Sequence, residues 1–173
     1  KYTKADERIK YICQDNQGVA AARKKGTEYV TSDYVTFIDS DDWVSESFFE
    51  ELYNNINGCD IVLSNYYRVR EDKITIIKNE LSCDIYNTPE KMKYIVDNMM
   101  YAPEKNGLLI IASICGKLFK TEIVRKIFDG MDKNVYYGED HEFFFKYILK
   151  CRSLNCTDIY GYYYFSRENS CVN

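Results

Sequence analysis

Tyr34-Val35-Thr36-Phe37-Ile38-Asp39-Ser40-Asp41-Asp42-Trp43 is the stretch whose reading decides the fold. Its first five residues are β-branched or aromatic, the composition of a short buried strand. They run directly into three carboxylates within four residues, which repel one another and cannot all be buried unpaired. A hydrophobic strand that delivers them to its C-terminal end places them where open α/β sheets bind ligands. A hard divalent cation, Mn²⁺ or Mg²⁺, resolves the repulsion, because such ions are held by one or two carboxylates plus substrate phosphates. An acidic turn capping the next helix accounts for the same spacing, and this stretch alone does not separate the two.

Upstream, residues 9–14 (IKYICQ) read as a short strand, Asn16-Gln17-Gly18 as a turn, and residues 19–31 as a helix broken at Ser32-Asp33. Downstream, Ser45 is a candidate N-cap for a helix with Phe48, Phe49, Leu52, Tyr53 and Ile56 at helical spacing, ended by Gly58. Residues 60–67 read as a strand, and the patch at 74–77 as part of a hairpin or a solvent-facing excursion. Thr88-Pro89-Glu90 opens a helix with Pro in its first turn and an apolar stripe of Met92, Ile95, Val96 and Met99. Residues 110–119 are apolar with a break at Gly116, and Thr121 opens a short helix through Ile127. Tyr137-Gly138-Glu139-Asp140 leads into a helix over 142–150 with the aromatic face Phe143, Phe144 and Tyr147. Residues 153–164 end in an aromatic strand, and Arg167 and Ser170 lie in the tail. Strand and helix alternate through the first half, which favours an α/β layered sheet.

Two further groups carry chemistry. The Glu139-Asp140 pair either caps its helix and favours the dipole, or supplies a general base for an attacking hydroxyl. Asn16-Gln17-Gly18 makes a tight turn ahead of Arg23, a residue type suited to phosphate but by default a surface residue.

Together these groups resemble the family 2 glycosyltransferases of the GT-A fold. The resemblance rests on residues 15–23 (DNQGVAAAR), residues 34–43 (YVTFIDSDDW), Gly116-Lys117-Leu118-Phe119-Lys120, Gly138-Glu139-Asp140, and Tyr162-Tyr163-Tyr164 with Arg167 and Ser170. FIDSDDW about 100 residues before GED is far more specific than a lone DxD. The resemblance implies a mixed sheet flanked by helices. It implies a DxD-type motif at Asp39 and Asp41, with Asp42 beside them, that binds Mn²⁺ or Mg²⁺ on the donor diphosphate. Asp39, Arg23, Asn16 and Gly18 would contact the donor, a nucleotide-diphospho-sugar with UDP-sugar as the first candidate. Asp140 would be the catalytic base, with Glu139 orienting the site, in one inverting displacement by an acceptor hydroxyl. Trp43 packs beside the sugar or in the core.

The chain departs from the family in two places. It begins at Lys1 rather than Met, without the family's opening strand of the type SVIIPVYN or the acidic segment near DDGS. It also has Lys24 where Asn commonly follows Arg23. The expectation is therefore an N-terminally truncated domain, with residues 1–67 the remainder of the donor-binding half and 68–173 the acceptor-side half. Acceptor specificity would lie in residues 68–105 and the tail. Loss of the opening strands would leave the strand at Tyr34 with an apolar edge, open to self-association or to rearrangement of the N-terminal segment.

Composition sets the outer limits. The 173 residues are 46% hydrophobic, enough for an ordinary core, and a formal charge of −4 argues against a dedicated nucleic-acid binder. Seven Cys without a CxxC fit buried thiols in a reducing, cytosolic setting. Residues 107–115 (GLLIIASIC) fall short of the ~20 needed to span a bilayer, so they read as a buried core segment. The resemblance implies a glycan or lipid-linked acceptor in surface polysaccharide synthesis, which would bring peripheral membrane contact at the inner face. The 17 Tyr fit core packing or stacking on sugar faces. His141, the only histidine, reads as solvent-facing or as a contact to acceptor or diphosphate. The competing classes are a non-catalytic glycosyltransferase-like binding module and a metal-dependent nucleotidyltransferase, which the fold alone would not separate.

Overall fold

The computed structural model describes residues 2–71, 73–132 and 138–166. In chain order the elements are α1 (Tyr2–Ala5), α2 (Val19–Thr27), β1 (Tyr34–Val35), β2 (Trp43–Val44), α3 (Phe48–Asn54), β3 (Ile61–Leu63), β4 (Tyr66–Arg70), β5 (Lys73–Ile77), β6 (Asp84–Tyr86), α4 (Pro89–Asn98), β7 (Lys117–Lys120), α5 (Thr121–Asp129), α6 (Glu139–Ile148), β8 (Leu154–Cys156) and β9 (Tyr162–Phe165). They build two mixed sheets flanked by helices. The first has the order β1-β7-β3-β8-β6, and the second β2-β9-β4-β5. In the first sheet β7 runs antiparallel to β1 and β3, while β3 and β8 are parallel. The carboxyl ends of β1, β3 and β8 therefore point the same way.

The core is fixed by residues with nowhere else to go. Ile61, Val62 and Leu63 on the central strand are fully buried, as are Phe119, Phe144 and Tyr147. Phe119 meets the rings of Phe143 and Tyr147 edge-on, which seats α6 on the sheet. The Tyr147 hydroxyl satisfies two backbone groups at once, donating to Asp60 O at 2.6 Å and accepting from Lys120 N at 2.9 Å. Asp60 accepts from Lys120 Nζ at 3.0 Å and from Arg152 N at 2.8 Å, pinning the amino ends of β3 and β8 to the end of β7. A buried carboxylate survives there because both oxygens are hydrogen-bonded.

Several expectations hold. The patch at Ile74 pairs with β4 as a hairpin. Thr88 caps α4 through its side chain, accepting from Lys91 N, and Met92, Ile95 and Met99 are buried along one stripe. Leu109, Ile110, Ala112, Ile114 and Cys115 form a buried, irregular core segment.

Others need correction. Residues 9–14 form no strand: Ile9 and Tyr11 stand exposed, and no strand among the described residues offers that segment a ladder. The helix after Gly18 stops at Thr27, whose hydroxyl turns back to Lys24 O. The segment 60–67 is split at buried Ser64 and Asn65, whose side chains bond loop backbone, so its two halves enter different sheets. The aromatic segment 153–164 likewise divides into β8 and β9. Four thiols are buried, but Cys13 and Cys83 are exposed. Strand β1 lies at a sheet edge, as expected, but is two residues long.

Candidate functional site

Two aromatic side chains bring the distant motifs together. Phe37, two residues before Asp39, packs edge-on against Phe119, Phe128 and Phe143 with centroids 6.0–6.2 Å apart. Phe143 lies three residues after Asp140 on α6. The same apolar contact therefore seats the end of the β1 segment and the start of α6. The helix begins at Glu139, three residues earlier than the sequence suggested. Gly138 occupies the left-handed region at φ 77° and turns the chain into the helix, where acidic residues in the first turn suit the positive dipole end. Tyr137, Arg167 and Ser170 lie outside the described residues.

Arg23 on α2 occupies the space between the two motifs. Its Nη2 donates to Asp39 Oδ1 at 2.8 Å and its Nη1 to Asp140 Oδ1 at 2.5 Å, with Glu139 Oε1 4.0 Å away. The guanidinium side chain is only 11% exposed, while those of Asp39 and Asp140 are 38% and 25% exposed. The cation is thus covered and both carboxylates keep a face toward solvent. Burial alone would lower the Arg23 pKa, but the charges of Asp140 and Asp39 outweigh it and hold the guanidinium above its ordinary value. Asp140 Oδ2 accepts from Ile114 N at 3.2 Å, so both of its oxygens are oriented.

The three carboxylates of the DSDD loop differ. Asp42 N–H closes the loop on Asp39 O at 3.1 Å. Asp41 is exposed. Asp42, grouped with the metal carboxylates in the sequence, has both oxygens engaged by the fold: Oδ1 accepts from Phe165 N at 2.9 Å and Oδ2 from the Tyr162 hydroxyl. Burial raises its pKa against these two hydrogen bonds, and the neighbouring Asp39 and Asp41 charges add to the rise. Burial also pushes the Tyr162 phenol well above its ordinary range, so it stays a donor. Its oxygen accepts from Asp39 N at 3.4 Å. Tyr162 is a residue the sequence reading missed as part of the site, its signal hidden in the run of aromatics.

Asn16 and Gly18 form an exposed Asx turn, with Gly18 N donating to Asn16 Oδ1 at 3.1 Å and Gly18 at φ 85° leading α2. They orient the helix that carries Arg23. His141 is exposed and stands edge-on to Phe145. Trp43 stacks on Tyr163 across β2 and β9, with centroids 5.3 Å apart and planes within 6°. The described residues hold no cluster of three or more potential metal ligands. A separate cleft of about 280 Å³, lined by Asp60, Lys120, Lys126 and Arg152 among others, lies at the opposite end of the first sheet.

The glycosyl transferase family 2 profile matches residues 1–128. The chain belongs to that family, and its fold is the GT-A fold. It is 33% identical over 142 residues to glycosyltransferase GlyA of Streptococcus pneumoniae, covering 81% of this chain and 20% of the relative. It is 27% identical over 165 residues to the minor teichoic acid biosynthesis protein GgaB of Bacillus subtilis, covering 93% of this chain and 17% of that one. The crystal structure of S. aureus TarS 1–349 in complex with UDP-GlcNAc superposes with a TM-score of 0.67 at 16% identity, covering 94% of this chain and 43% of that one. The chain thus spans less than half the length of each of these proteins. No helix among the described residues is long and apolar enough to cross a membrane.

Proposed function

We propose that this chain carries the catalytic part of a metal-dependent, inverting glycosyltransferase, moving a sugar from a nucleotide-diphosphate donor to a hydroxyl of a glycan or lipid-linked acceptor. The observation that carries the reading is the Arg23 bridge, which joins Asp39 and Asp140 into one half-open site beyond the carboxyl end of β1. The TarS complex with UDP-GlcNAc supports a UDP-sugar as donor, and the teichoic acid relative supports surface polysaccharide synthesis.

Asp39 and Asp41 fit a hard divalent cation: they offer two oxygen-donor side chains on a solvent-facing loop, the number such ions take beside substrate phosphates. Asp42 is better used as the anchor that ties this loop to β9. A bound Mn²⁺ or Mg²⁺ would supply Lewis-acid compensation for charge on the departing nucleoside diphosphate. Asp140 takes the proton of the acceptor hydroxyl as that oxygen bonds to the anomeric carbon. The bond from that carbon to the diphosphate breaks, and its electron pair leaves with the nucleotide. Arg23 and Ile114 N fix the carboxylate for this step. Glu139 adds negative charge beside the guanidinium and helps orient it, and Asn16 and Gly18 set the helix that delivers Arg23 toward the donor. On this reading residues 1–67 form the donor side and 68–173 the acceptor side. Contact with the inner face of a membrane and self-association at the β1 edge belong to the same proposal.

The deciding measurement is nucleotide release by the full-length protein with UDP-, GDP- and CDP-sugars, with and without Mn²⁺. Metal-dependent release from one donor class is expected. It should be lost in Asp41→Ala and reduced by about 10²–10⁴-fold in Asp140→Asn. Wild-type turnover by Asp140→Asn would remove the base assignment. A folded protein that neither binds nor cleaves any of these donors would leave a binding module.

A further inference from the structure

The most unusual group outside the acid motifs is Lys117, the first residue of β7, a lysine that is 1% exposed. Its Nζ donates to Ser113 O at 2.6 Å and lies 5.2 Å from the centroid of the Phe144 ring. Ser113 O and Ile114 N are the two ends of one planar amide. That same Ile114 N–H donates to Asp140 Oδ2. A cation on the carbonyl oxygen draws electron density along the amide and strengthens the N–H as a donor, and such chains are mutually reinforcing in a low-dielectric interior.

We propose that Lys117 is a positioning residue for Asp140, acting through the Ser113–Ile114 peptide to orient and polarise the contact on Asp140 Oδ2. The proposal rests on the reading of Asp140 as the catalytic base. Arg23 then holds one oxygen of Asp140 directly, and Lys117 holds the other through one amide. The groups acting electrostatically on Lys117 are Cys115, Asp140 and Cys156. Burial pushes both thiols up to about 12, so they are neutral, and Asp140 is the anion among the three. Burial also pulls the Lys117 amine down to about 8. Retaining a charge in so dry a position is costly, and a methionine would fill the volume without that cost.

Two measurements on the full-length protein test this. In the first, the Ile114 amide proton is followed by NMR against pH. It should titrate in the wild type with a midpoint near 8 and be flat and shifted upfield in Lys117→Met. An Ile114 amide that neither titrates in the wild type nor moves in the variant overturns the relay, whatever Asp140 does. In the second, Lys117→Met, Asp140→Asn and the double variant are compared in turnover. Lys117→Met should lower kcat about tenfold with donor KM unchanged, and should cost nothing further in the Asp140→Asn background. Multiplying losses would make Lys117 a merely structural residue. Wild-type turnover by Asp140→Asn alone would instead sink the base reading while leaving the amide result standing.

Discussion

Asp140 accepts a hydrogen bond from Arg23 at 2.5 Å across 117 residues of sequence. The other arm of the same guanidinium reaches Asp39, so the first acidic residue of the DSDD loop and the proposed base share a single cation. Two carboxylates brought this close without it would repel each other and push the loop and the helix apart.

Replacing Arg23 with Met should therefore harm the fold as well as the reaction. Removal of one partner leaves partly buried negative charge uncompensated, which costs several kcal/mol when dry. Solvent access to Asp39 and Asp140 reduces the expected loss to about 2 kcal/mol. Urea denaturation of the two proteins measures it, and an unchanged midpoint would show that the bridge does not hold the loop to the helix.

Lys117 gives a pH dependence of opposite sense to that of a salt-bridged lysine. Its folded pKa of about 8 lies below the ordinary 10.5. Between those values the unfolded chain holds one more proton than the folded one, so unfolding becomes harder as pH rises. Wild type should gain on Lys117→Met by up to about 3 kcal/mol between pH 8 and 10.5, with no relative change below pH 7. Paired denaturation curves at pH 7, 9 and 10.5 test the sign.

Tyr163 lies between two rings, Trp43 at 5.3 Å and Tyr67 at 5.0 Å, and stitches β2 and β4 to β9. Tyr163→Ala should cost about 2 kcal/mol in stability through lost stacking and burial. Trp43 is the sole tryptophan, so its emission should shift to the red in the same variant. An unchanged spectrum would mean that the stack does not shield the indole.

Gly161 sits at φ 138°, and a Cβ there would lie 2.5 Å from Ser45 Oγ and 3.0 Å from Phe48 Cδ2. Gly161→Ala combines a poor backbone region with a steric clash at the start of α3. The expected loss is about 2 kcal/mol or more, seen as a fall of roughly 5 °C in the thermal midpoint. Gly130→Ala, whose nearest contacts are ordinary at 3.7 Å, is the control.

The acidic residues of the candidate site stood out because their pattern is local: three carboxylates after a strand, and two after a glycine, are visible in a few letters. The bridge between them was not. Arg23, a surface residue by default and a donor contact by resemblance, gave no sign of it, because nothing in a helix face tells which distant carboxylates will meet it. Asp42 looked like its neighbours, and only the arrival of Phe165 N and the Tyr162 hydroxyl separates it from Asp39 and Asp41. Lys117 carried a faint signal as a lone cation inside an apolar run. The strand expected at residues 9–14 failed for the complementary reason. β-forming composition is only a capacity to pair, and no ladder partner for it exists among the described residues.

The Asp42 anchor also imposes an order on synthesis. Asp42 leaves the ribosome 120 residues ahead of Tyr162 and 123 ahead of Phe165. At roughly 5–20 residues per second, that is an interval of about 6–25 s. Throughout it the nascent loop has its acidic residues but not the groups that hold one of them back. A growing chain therefore carries an unfinished acidic loop until β9 emerges, and the loop can take its final shape only after that strand has been made.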